Sequence, residues 1–90
     1  MSSPRSLFRT VVNRNTPHET RIAAIDELAD ADATSQLHTI VVTDGLNGTY
    51  RRRAVKNLGQ CRSFTELERL IDDVTVPPSL RKTVEEVSRF

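Results

Sequence analysis

Ninety residues suffice for one small domain but leave no room for a second core, and a chain of this length hides only roughly 60 to 65% of the surface its unfolded form exposes. Hydrophobic residues make up 37% and the aromatics are Phe8, Tyr50, Phe64 and Phe90, which points to a thin core of Leu, Val, Ile and Ala. A formal net charge of +1 gives no overall attraction to nucleic acid, the lone Cys61 excludes an intramolecular disulfide and a multi-cysteine zinc site, and no apolar run approaches the roughly 20 residues of a membrane span. No membrane partner is expected. Residues 1 to 14 spread their arginines through the segment instead of placing a charged start before an apolar block, so the default location is cytoplasmic. The charge is unevenly divided: residues 1 to 45 hold four arginines and six acids (−2), residues 46 to 90 nine basic residues and six acids (+3).

In chain order, Ser3 as N-cap and Pro4 at the first helical position predict a short helix over Ser3 to Asn13, with Leu7, Thr10 and Val11 on one face. Thr16-Pro17-His18-Glu19 reads as a capping box and opens a second helix from Pro17 to about Ala29, whose buried stripe is Ala24, Ile25 and Leu28. Asp30-Ala31-Asp32 is a polar break expected to cap a third helix, Ala33 to Val42, with Leu37, Ile40 and Val41 inward. Asp44-Gly45 ends it, glycine being free to take the left-handed conformation. Asn47 caps a fourth helix, from Gly48 to about Leu58, which Gly59 is expected to stop. Ser63-Phe64-Thr65-Glu66 is a second capping box, opening a fifth helix that carries Leu67, Leu70 and Ile71. Val76-Pro77-Pro78-Ser79 closes that segment and starts the last, with Leu80, Val84 and Val87 as its stripe.

The elements are in register at thirty residues. Leu7, Leu37 and Leu67 are in phase, as are Thr10, Ile40 and Leu70, and Val11, Val41 and Ile71; in the other helix type Ala24, Ala54 and Val84 align, as do Arg21, Arg51 and Arg81. Three units of about 1–30, 31–60 and 61–90, each a pair of short helices, account for the chain as one domain. The stretch Tyr50-Arg51-Arg52-Arg53-Ala54-Val55-Lys56-Asn57-Leu58-Gly59, followed after a short loop by Glu66-Leu67 and Leu70-Ile71, resembles a HEAT-like repeat of the short phycobilisome-lyase type. That resemblance implies an all-α fold, a short right-handed α-solenoid of about six helices, and it does not imply lyase activity. The polar Glu85 and Ser88 in the last helix suit a capping position whose outer face meets water.

No catalytic constellation is legible, so a non-enzymatic protein with no cofactor or metal is expected. His18 and His38 share no ligand spacing and both read as solvated; Asp72 and Asp73 are consecutive and point apart; all three glycines fall at expected helix ends, which leaves no phosphate loop. Cys61 has Arg62 beside it, which would lower its pKa, but no histidine or second cysteine is near in sequence. Two surfaces compete. In a HEAT-like stack the helices opening at Ser3, Ala33 and Ser63 line the concave side, and Phe8, Arg9, Val12, His38, Val42 and Arg69 on them are the expected contacts for a partner protein, with a homodimer also consistent with exposed apolar area on so small a domain. The alternative is nucleic-acid binding along a basic edge of Arg51, Arg52, Arg53, Lys56 and Lys82. Arg21, Arg51 and Arg81 are read first as scaffold residues, paired with Asp44 or Asp73 or bonded to loop carbonyls between units.

Overall fold

A computed structural model describes residues 3–88, and within them the chain is all-helical. The helices are α1 (Pro4–Val12), α2 (His18–Asp30), α3 (Thr34–Val42), α4 (Gly48–Gln60), α5 (Phe64–Asp72) and α6 (Pro78–Val87). They form two rows. α1, α3 and α5 pack in one, α2, α4 and α6 in the other, and each odd helix also packs on the even helix that follows it. The core runs between the rows and is supplied by the in-phase apolar positions: Leu7 and Val11, Leu37, Ile40 and Val41, Leu67 and Leu70 on one side, and Ala24, Ile25, Leu28, Ala54, Val55, Leu58, Leu80 and Val84 on the other.

The connections repeat as well. At the ends of α1, α3 and α5 the caps Asn13, Thr43 and Asp73 are extended, and the chain enters the next helix through Pro17, Asn47 and Pro77, all near φ −57° and ψ 145°. Asn13 and Asp73 brace the turn with a side-chain oxygen that accepts the N–H two residues on, at 3.0 and 2.9 Å. The middle loop lacks an Asx residue there and turns instead on Gly45 at φ +86°. The connections after α2 and α4 are Schellman closures: Ala33 N–H donates to Leu28 O and Ser63 N–H to Leu58 O, with Asp32 (φ 54°) and Arg62 (φ 56°) left-handed. So Asp32 does not cap α3, whose first residue follows Ala33 without a side-chain bond.

Several local expectations change. Ser3 does cap α1, accepting Ser6 N–H at 3.2 Å, and Asn47 caps α4, accepting Thr49 N–H at 2.8 Å. The two capping boxes do not form: no side chain caps α2 or α5. Gly59 does not stop α4. It lies buried inside the helix, where a Cβ would come within 3.2 Å of Val87 Cβ, so glycine permits the close approach of α6.

α4 is the central helix, packed on α2, α3, α5 and α6, and it buries polar groups that must find partners. Asn57 Nδ2 donates to Asp26 Oδ1 at 3.0 Å and to Ile25 O at 3.3 Å. Arg51, only 8% exposed, donates its Nε–H to Val41 O at 2.7 Å, and Arg21 makes the same bond to Val11 O at 2.7 Å. These carbonyls belong to the last turns of α3 and α1, where the helix dipole is negative and no intrahelical N–H is left to serve them. In the third unit the bond shifts along the chain: Arg81 Nη2 donates to Asp73 O at 3.0 Å and Val76 O at 3.4 Å. The hydrogen bonds of the arginine ladder therefore tie each helix pair to itself through backbone carbonyls, not through the carboxylates of Asp44 or Asp73, and only Arg21 among the three also reaches the next pair, where it stacks on the Tyr50 ring.

Candidate functional site

The outward side of the α1, α3 and α5 row is less apolar than the sequence implies. Phe8, Val12 and Val42 are half-buried, Phe8 and Val42 resting against the core, whereas Arg9 and Arg69 are exposed. A shallow groove of about 250 Å³ between α1 and α3 is lined by Arg5, Phe8, Ser35, Gln36 and Thr39. His38 is half-buried, with its Nδ1 closed to solvent. Its Nδ1 lies 2.6 Å from Glu66 Oε2, off the line of a good hydrogen bond, and Glu66 Oε1 lies 3.8 Å from Arg69 Nη1, so one carboxylate joins two of the expected contact residues. The sequence context of Glu66 points to a helix cap, and no spacing in the sequence links it to His38.

The basic edge separates into residues with different duties. Arg51 is buried in the scaffold, so it does not belong to an exposed edge. Arg53 crosses to α2 and grips Asp26 with both arms, Nε to Oδ1 at 2.9 Å and Nη2 to Oδ2 at 2.7 Å. That bond holds the Asp26 carboxyl below its usual range, with Asn57 helping and burial opposing, and raises the Arg53 guanidinium. Arg52, Lys56 and Lys82 are exposed, Lys82 on a different helix. Thr49, Arg52, Arg53 and Lys56 form one stripe of α4 and, with His18 and Ile22 of α2, line a groove of about 390 Å³.

His18 at its rim is oriented by the buried Tyr50: the imidazole Nδ1 and the phenol oxygen share a hydrogen bond at 2.9 Å, and Arg21 stacks over the Tyr50 ring at 4.1 Å. Sequence spacing did not connect these three residues, which lie on two neighbouring helices. Cys61 differs from expectation: burial pushes its thiol up, and Asp32 and Asp30 reinforce the shift, so Arg62 does not activate it. Its Sγ contacts Ala29 O at 3.5 Å. Among the described residues, no group of three His, Cys, Asp or Glu side chains could hold a metal ion, and no helix is long and apolar enough to cross a membrane.

Comparison with protein-family models, with curated proteins and with solved structures finds no match to this chain.

Proposed function

We propose that the chain is a non-enzymatic interaction module, a short HEAT-like α-solenoid that binds a partner protein along the outward side of α1, α3 and α5. The observation that carries this reading is the half-exposed Phe8 in the groove between α1 and α3, flanked by the charged Arg5 and Arg9 and continued by His38 of α3 and the Glu66 and Arg69 of α5 that it adjoins. An aromatic anchor with arginines at its rim is a common composition for a protein contact. A cytoplasmic setting agrees with this reading. A photo-crosslinking residue at Thr39 tests it: the expected result is one dominant crosslinked partner, lost when Arg9→Glu and Arg69→Glu are combined in a protein of unchanged melting temperature. Crosslinking that survives the double change sinks the surface.

A second reading, nucleic-acid binding, is favoured by the exposed Arg52 and Lys56, which have no acidic partner among the described residues. Its contact set contracts to Arg52, Lys56 and Lys82. Binding to single or double strands that strengthens steeply as salt is lowered supports it, and no binding at low salt rejects it.

A further inference from the structure

We infer that the groove between α2 and α4 binds the phosphate group of a small phosphorylated molecule. Its α4 wall presents Thr49, Arg52, Arg53 and Lys56 at positions i, i+3, i+4 and i+7, so one hydroxyl and three cations face a single opening. The α2 wall presents His18, whose ring Tyr50 holds, and the half-buried Ile22. No carboxylate lines the opening. The nearby Asp26 takes the N–H of Nε and one N–H of Nη2 of Arg53 from the side, which fixes the plane of the guanidinium and leaves both N–H groups of Nη1 and the second of Nη2 as donors. Thr49 is in the first turn of the thirteen-residue α4, so the positive end of the helix dipole adds to the field of the side chains.

The size and reach of this cluster favour a compact dianion over a long polyanion. A volume of about 390 Å³ is in the range of small-molecule pockets. A nucleic-acid backbone would need cations continuing beyond the groove, and the next helix offers Lys82 accompanied by Glu85 and Glu86. The site is independent of the partner-binding reading, since it lies on the other row of helices.

The test is a titration of isotope-labelled protein with inorganic phosphate and with pyrophosphate at fixed ionic strength, followed by amide chemical shifts and compared with sodium chloride. Expected are saturable shifts at Thr49, Arg52, Arg53, Lys56 and His18, tighter for pyrophosphate. Arg52→Ala with Lys56→Ala weakens binding by about tenfold or more, because two charge-assisted contacts are lost. Both side chains are exposed, so the variant keeps its melting temperature; Lys82→Ala keeps its affinity within about twofold. Shifts that chloride reproduces, affinity unchanged in the double variant, or an equal loss in Lys82→Ala would each overturn the assignment. So would an oligonucleotide that shifts these residues when neither phosphate nor pyrophosphate does, which would hand the groove to nucleic acid.

Discussion

The side chain of Arg51 reaches back ten residues to donate its Nε–H to the Val41 carbonyl at 2.7 Å, from a position almost closed to solvent. The neighbouring Arg52 is exposed and Arg53 lies across the seam against Asp26, so three consecutive arginines point in three directions about 100° apart, as a helix of 3.6 residues per turn requires.

The first prediction separates these duties. Arg51→Met leaves a buried carbonyl without its charged donor and is expected to lower the unfolding free energy by about 2 to 3 kcal/mol. Arg52→Met, at an exposed site, is expected to change it by no more than about 0.5 kcal/mol. Urea denaturation of the two variants checks the contrast, and equal losses would refute the division.

Acid stability provides the second. Asp26 is held below its ordinary range first by its hydrogen bond to Arg53, so its folded pKa lies under its unfolded value of about 3.9. Its contribution is therefore fully present above that unfolded value and disappears as pH falls through the folded one. Both partners are more than a third exposed, at 39% and 44%, which limits the pair to under about 1 kcal/mol. Asp26→Asn should be slightly less stable at pH 7 and lose less stability between pH 5 and pH 2. Arg53→Ala should move the Asp26 titration midpoint upward in an NMR titration; a fixed midpoint contradicts the assigned cause.

The left-handed Arg62 gives the third. A side chain at φ 56° carries a steric cost that glycine does not, so Arg62→Gly is expected to raise stability by about 1 kcal/mol. Asp32→Gly should gain less, because aspartate tolerates this conformation better. Thermal melts decide it, and a lower melting temperature for Arg62→Gly would rule the strain out.

The fourth concerns Gly59. Alanine there would gain about 1 kcal/mol of helix propensity but place a methyl 3.2 Å from Val87 Cβ. Gly59→Ala alone should therefore be close to neutral or mildly destabilising, whereas in a Val87→Gly background, which removes the Cβ it would meet, it should stabilise. A double-mutant cycle measures the coupling; independence of the two changes would mean that α6 moves away freely.

Much of the fold was legible because burial and repetition act on the same positions. The in-phase residues at Leu7, Leu37 and Leu67, or at Ala24, Ala54 and Val84, are buried in all three units, so periodicity together with the proline, glycine and cap positions located the helices to within a residue or two. Caps were less legible: Asn47 acts as read, but Thr16 and Glu19 do not, since Pro17 and the extended entry already set the geometry and leave the hydroxyl unused. The candidate surfaces were least legible. Glu66 touching His38, or Arg53 touching Asp26, is a contact between neighbouring units whose residue separations of 28 and 27 differ from the repeat length. The phase of a side chain shows that it faces outward or sideways, but the partner across the seam depends on how neighbouring helices are staggered, and a local pattern contains no measure of that offset.

The bonds from Arg21 and Arg51 to Val11 and Val41 each close a loop of only ten residues. The loop-closure entropy for so short a span is small, so a helix pair can form this link before it meets its neighbours. The Asp26 to Arg53 and His18 to Tyr50 contacts, by contrast, join residues 27 and 32 apart and require two pairs to be in place. The two classes of contact thus differ in chain entropy: a link within a helix pair costs less to close than a link across the seam between pairs.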